Sequence, residues 1–142
     1  MKLGFIGCGN MASAIIGGIL NKGLAQPEDI CASVKTQSSA QKIQNTLGIS
    51  CTTNNLEVAK TADYLFLAVK PQFCTDVALQ IKDVLTDKQV IISVIAGKNL
   101  EWLKEHLGND KKIIRTMPNT PALVGEGVTG VCPDNLTSDE DL

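Results

Sequence analysis

Lys2-Leu3-Gly4-Phe5-Ile6-Gly7-Cys8-Gly9-Asn10-Met11-Ala12 is the stretch whose reading decides the fold. Residues 2–6 read as a buried strand with a single charge at its start. Gly7, Gly9 and Ala12 then give G-x-G-x-x-A where a strand should turn into a helix, the fingerprint of a dinucleotide-binding turn. Gly7 permits the tight turn, Gly9 lets backbone approach a pyrophosphate, and Ala12 lets the helix pack closely on the strand. The helix N-terminus offers unpaired N–H groups and a partial positive charge to that pyrophosphate. Ile6, Cys8, Asn10 and Met11 complete the turn and count with it as cofactor-contacting positions. Alone, the motif is also compatible with an ordinary tight turn. Its place between a strand and an amphipathic helix, at the head of an alternating chain, favours the dinucleotide.

Outward from the turn, a helical period runs over residues 12–22, with Ala14, Ile15, Ile16, Ile19 and Leu20 inward and Gly23 as its C-cap. Pro27-Glu28-Asp29 punctuates a loop before a second strand over 30–34. Ser38 or Ser39 would cap a helix running to Thr46 or Leu47, closed by Gly48. Residues 49–52 make a brief third strand, and Asn54-Asn55 begins a short helix through Lys60. The clearest strand is 64–69, apolar on both faces as a central parallel strand should be, and Lys70-Pro71 stops it. A helix is expected over 72–85 with Phe73, Val77, Ile81, Val84 and Leu85 inward, then a strand over 90–95. A helix from Asn99 to His106, closed by Gly108, leads to a last strand over 112–116. Strand alternating with helix implies right-handed crossovers. The expected fold is α/β: a Rossmann-like, doubly wound, mainly parallel sheet with helices on both faces, in one dinucleotide-binding domain over 1–142.

The chain has 142 residues, 44% of them hydrophobic, enough for one domain with a real core. A net charge of −2 and the lack of any basic run argue against nucleic acid as a partner. No apolar stretch approaches the length of a membrane span, so no membrane partner is expected. A chain that starts directly in a strand leaves no room for a signal peptide, which makes the cytoplasm the expected location. The cysteines are Cys8, Cys31, Cys51, Cys74 and Cys132, an odd number with no C-x-x-C spacing. They read as reduced thiols, not as disulfides or a zinc site, and no metal is expected. His106, the single histidine, reads as a surface or packing residue near a helix C-terminus. Thr137-Ser138-Asp139-Glu140 has the T-x-x-E capping-box pattern just before the chain stops at Leu142. The expectation is therefore the N-terminal portion of a longer protein.

Ligands of an open α/β sheet bind outside the carboxyl ends of its strands, so the residues after each strand are the candidates. Asp29 lies about twenty residues past the fingerprint, where an NAD site commonly keeps its ribose-binding acid. It stands at the wrong end of its strand, roughly 16 Å from the carboxyl edge at about 3.3 Å per residue. Ser33, Val34, Lys35, Thr36 and Ser38 do reach that edge, with a cation and hydroxyls and no carboxylate. That set suits a 2′-phosphate, which an acid would repel, so NADP is expected over NAD; the other reading is a solvated polar loop. Ala68-Val69-Lys70-Pro71 and Val94-Ile95-Ala96-Gly97 put small residues at strand ends, where a ligand can lie against backbone. Lys70 serves either the cofactor, an acidic substrate, or only solvent. In Met117-Pro118-Asn119-Thr120-Pro121, two prolines bracket an amide and a hydroxyl, presented either to a ligand or to the loop's own backbone.

Together these stretches resemble the pyrroline-5-carboxylate reductases. The resemblance rests on Gly4-Phe5-Ile6-Gly7-Cys8-Gly9-Asn10-Met11, on Ala68-Val69-Lys70-Pro71, and on Arg115-Thr116-Met117-Pro118-Asn119-Thr120-Pro121-Ala122-Leu123-Val124. The last is the most specific, and the similarity covers essentially the whole chain. It implies hydride transfer from NADPH, with NADH possible, to the cyclic imine 1-pyrroline-5-carboxylate, giving L-proline. It implies that the fingerprint holds the pyrophosphate, that the segment with Ser33, Lys35 and Thr36 meets the 2′-phosphate, and that Asn55 contacts the adenosine part. Ala68, Val69, Lys70 and Pro71, with Ile95, Ala96 and Gly97, would line the nicotinamide side. Asn119 and Thr120 would lie close to the reacting ring, with Met117, Pro118 and Pro121 substrate-proximal beside them.

No residue of the chain is singled out as catalytic. The resemblance implies a second, all-helical dimerisation domain that is expected to lie outside these 142 residues, and with it the Ser/Thr-rich loops for the substrate carboxylate and the homo-oligomer. The chain alone is expected to bind cofactor and to reduce substrate poorly or not at all. Two other readings stand beside this one. The chain is the NADP-binding domain of a 6-phosphogluconate- or hydroxyisobutyrate-dehydrogenase relative, or it is a non-catalytic NADP-sensing module.

Overall fold

A computed structural model of the chain describes residues 1–118, 129–133 and 136. Its strands are β1 (Leu3–Ile6), β2 (Ile30–Ser33), β3 (Ser50–Thr52), β4 (Tyr64–Leu67), β5 (Val90–Ser93), β6 (Lys112–Pro118) and β7 (Thr129–Pro133). Its helices are α1 (Asn10–Asn21), α2 (Gln37–Leu47), α3 (Asn55–Thr61), α4 (Cys74–Ile81) and α5 (Leu100–Leu107). All four residues of β1 are buried, which requires a strand on either side and helices on both faces. The sheet supplies this in the order β3-β2-β1-β4-β5-β6-β7, with β1 to β6 parallel and β7 antiparallel to β6. The chain winds outward from β1 to β3, returns to β4 beside β1, and winds outward again. The switch point, where such sheets bind ligands, lies between β1 and β4.

Two apolar clusters hold the layers together. One face carries α3, α4 and α5, with Leu65, Ile91, Ile113 and Ile81 at its centre. The other carries α1 and α2 around Phe5, Ile16 and Ile30, and the Phe5 and Phe66 rings stack across β1 and β4 at 4.3 Å. The doubly wound, mainly parallel sheet is thus as expected. Gly4 has a packing reason the fingerprint did not include. A Cβ there would lie 2.7 Å from the Ala62 Cβ and 2.8 Å from a Val58 methyl, so the missing side chain lets α3 settle on β1.

Several local expectations are corrected. The helix expected over 72–85 begins as a 3-10 turn over Pro71–Phe73, and α4 ends at Ile81. Pro71 supplies no N–H, and the first turn closes from the Phe73 N–H to the Lys70 carbonyl at 3.0 Å. Phe73 therefore sits on a turn and not on an inward helix face. Thr36, not Ser38 or Ser39, caps α2, its Oγ1 accepting from the Ser39 N–H at 3.2 Å. Met117 and Pro118 belong to β6, opposite Gly130 and Thr129 of β7, and not to a loop. β7 itself was not anticipated: Thr129-Gly130-Val131-Cys132-Pro133 holds a glycine and a proline, both weak strand formers. Gly23 closes α1 as expected, donating to the Leu20 carbonyl while Leu24 donates to that of Ile19. Asn119, Thr120, Pro121 and the capping-box pattern at Thr137 lie outside the described residues.

Candidate functional site

The fingerprint turn is wedged between the ends of β2 and β4. Gly7 adopts φ +90° and donates its N–H to the Ser33 carbonyl at 2.9 Å, and a Cβ on it would stand 2.7 Å from the Ala68 carbonyl oxygen. Gly9, which starts α1, is different, for a Cβ there would meet nothing within 4 Å. The helix it starts has no side-chain cap and no acid in its first turn. By contrast, Thr36, Asn54 and Asn99 cap α2, α3 and α5. The first N–H groups of α1 are thus left for an anion or water, in front of open space. Ile6 and Ala12 are buried and serve the core; Cys8 and Met11 are half-buried, and Asn10 is exposed. Burial pushes the Cys8 thiol up, against a lowering contact from Ser13 whose Oγ lies 3.7 Å from its Sγ. A neutral thiol therefore lines the turn, with no charge to repel phosphate.

At the carboxyl edge of β2, the expected residues separate into two kinds. Ser33 is fully buried, and its hydroxyl donates to Asn55 Oδ1 at 2.7 Å, whose Nδ2 donates to Gln80 Oε1 at 2.8 Å. Its hydroxyl is committed inside the protein, not offered to a ligand. Lys35 and Thr36 are exposed. Thr36 already accepts from the Ser39 N–H and donates to Ser39 Oγ at 2.9 Å. The Lys35 ammonium lies 2.8 Å from the centre of the Phe73 ring. Asp29 stands at the opposite edge, where Lys2 Nζ lies 3.5 Å from its carboxylate.

On the β4 and β5 side, Ala68 and Val69 are half-buried, while Lys70, Pro71, Ala96 and Gly97 are exposed. The Ala68 N–H donates to Ile6 and that of Val94 to Leu67, which extends the ladder past both strands and fixes these ends beside the fingerprint. Ile95 departs from its expected role: 2% exposed and packed in the α3–α5 cluster, its side chain is core and only its backbone borders the edge. Phe73 and Gln80 were not singled out. Only the 3-10 turn after Pro71 brings Phe73 to this edge, and nothing in the spacing ties Gln80 to Asn55.

His106 is engaged as the sequence suggested, with Nδ1 2.8 Å from the Trp102 carbonyl and its ring stacked on Trp102 at 3.9 Å. A recess of about 980 Å³ runs along the edge strand β3 past Cys51 and is lined by no fingerprint residue. A smaller one of about 350 Å³ is bordered by Asn55 and Gln80. Among the described residues, no helix is long and apolar enough to cross a membrane.

The chain resembles known proteins along nearly its whole length. It is 41% identical to the pyrroline-5-carboxylate reductase of Escherichia coli over 140 residues, covering 99% of this chain and 52% of that protein. The crystal structure of Plasmodium falciparum pyrroline carboxylate reductase with NADP bound superposes with a TM-score of 0.88 at 34% identity, over 99% of this chain and 51% of that one. A pyrroline-5-carboxylate reductase from Coxiella burnetii gives 0.92 at 32% identity, over 98% and 52%. The chain thus spans about half the length of these relatives. Residues 2–97 match the family described as NADP oxidoreductase, coenzyme F420-dependent, and it is to this family that the chain belongs.

Proposed function

We propose that the chain is the NADP-binding part of a pyrroline-5-carboxylate reductase. The observation that carries the cofactor reading is the uncapped, acid-free start of α1 behind the open Gly9, next to a β2 edge that presents Lys35 and no carboxylate. The α1 N–H groups hold the pyrophosphate, and Lys35 meets the 2′-phosphate beside Thr36, which caps α2 and so fixes the backbone at this edge. Ser33 acts one step back by orienting Asn55 toward the adenosine part. Ala68, Val69, Lys70, Pro71, Ala96, Gly97 and the Ile95 backbone form the nicotinamide wall, with Met117 to Pro121 beside the substrate. When bound, NADPH supplies a hydride to the imine carbon of 1-pyrroline-5-carboxylate, giving L-proline.

A protonated imine is already an electrophile, so the protein's task is mainly positioning. This fits a chain whose only histidine is held by Trp102. The other half of the relatives' length would supply the substrate-carboxylate loops and the homo-oligomer, and the cytoplasm is the fitting location. Side-by-side calorimetry with NADPH and NADH tests the reading: NADPH is bound more tightly, and Lys35→Glu weakens NADPH far more than NADH. Equal losses for the two would sink the 2′-phosphate assignment.

A further inference from the structure

We propose that Phe73 positions Lys35 and thereby sets the preference for a 2′-phosphorylated dinucleotide, an inference that rests on the cofactor reading above. Lys35 follows β2 and Phe73 closes the turn after β4. These strands flank β1, about 10 Å apart at two strand spacings. The contact of 2.8 Å from ammonium to ring centre therefore links the segments that follow the two strands on either side of β1. Both anchors are fixed. The Val34 N–H donates to the Thr52 carbonyl at 2.9 Å and Thr36 caps α2, so the backbone of Lys35 is held on either side. Phe73 donates its N–H to the Lys70 carbonyl within a turn that Pro71 stiffens.

A lysine stem is flexible and loses rotamer freedom when it grips a ligand. Seated on the ring, the ammonium has already lost much of that freedom, and its outward N–H bonds remain free for a phosphate. A dinucleotide with a bare 2′-hydroxyl offers that cation nothing. Phe73 is thus a positioning residue that acts through Lys35 and discriminates between the two cofactors without touching the phosphate.

Calorimetry of NADPH and NADH binding to the full chain, as wild type, F73L, F73Y, K35Q and the F73L/K35Q double variant, tests this. F73L should lose about two- to fivefold in NADPH affinity, the span of an exposed cation–π contact, and nothing in NADH affinity. F73Y, which keeps the ring face, should retain the preference, and F73L should add nothing once Lys35 is Gln. Equal losses for both dinucleotides would mean that Phe73 packs on the adenine or the fold, and would overturn the proposal. So would tighter NADPH binding by F73L, which would make the ring a competitor for the cation. Proton NMR of the unliganded protein separates this from failure of the site itself. The Lys35 ε-methylene should be shifted upfield by the ring in wild type and not in F73L. An unshifted methylene overturns the contact, whereas a shifted one in a protein that binds neither dinucleotide overturns the cofactor reading and with it the preference.

Discussion

Gly7 and Gly9 stand two positions apart in one motif and answer to different neighbours. Gly7 needs its hydrogen because φ is +90° and because the Ala68 carbonyl oxygen occupies the space of a Cβ. Gly9 has no such neighbour, so its bareness leaves room in front of α1. Gly7→Ala should therefore cost about 1–3 kcal/mol of folding stability, from backbone strain and a clash with rigid backbone. Gly9→Ala should leave the melting temperature unchanged and weaken NADPH binding. Thermal melts beside calorimetry separate the two, and a Gly9→Ala protein that melts as early as Gly7→Ala would make both glycines structural. The residue types of the turn were legible from spacing. The partner that makes Gly7 indispensable was not, because Ala68 meets it only after β4 has returned beside β1.

At the scale of elements, periodicity and capping chemistry read well where they act locally, and failed where a neighbouring element decides. Among the described residues, the five helices and the first six strands were anticipated, yet α4 loses its expected start to the 3-10 turn that Pro71 begins and stops at Ile81, four residues short of the expected end. β6 runs through Met117 and Pro118 because β7 pairs with it, and that strand has a composition that announces no strand at all. The clamp between α3 and β5 was equally invisible. Gln89, buried just before β5, donates from Nε2 to the carbonyls of Ala59 and Ala62, both at 2.7 Å, and accepts from the Thr86 N–H at 2.8 Å. A glutamine at a strand entry carries no sequence signal that two helix-end carbonyls will need it. Gln89→Met should lose about 3 kcal/mol in urea unfolding, since buried polar groups are left unpaired at about 1–3 kcal/mol each. Gln89→Glu should do no better, because a carboxylate has no proton to donate to either carbonyl. A glutamate variant as stable as wild type would show that the two carbonyls do not depend on this side chain.

At the scale of the whole molecule, each of the two cores holds a buried free thiol, and this gives stability a direction with pH. Cys74 lies in the α3–α5 cluster and Cys51 in the α1–α2 cluster, and burial raises both thiols. Cys51, 8% exposed, is carried furthest, from the usual 9.0 to about 11, chiefly by desolvation. A folded-state pKa above the unfolded one means that the native protein keeps a proton which the unfolded chain gives up. Stability from Cys51 is therefore fully present below about pH 9 and is lost as pH rises toward about 11. The free energy of unfolding should fall across that window more steeply in wild type than in Cys51→Ala, with reductant present. Other groups titrate there as well, but they are common to both proteins and cancel in the difference of slopes. The absolute levels will differ, because alanine leaves a small void where the sulfur packed. The slopes carry the test: parallel urea-derived stability curves between pH 8 and 11 would mean that Cys51 ionises in the folded protein as readily as in the unfolded one. Its place in the α1–α2 core would then be wetter than its packing around Ile30 and Ile49 implies.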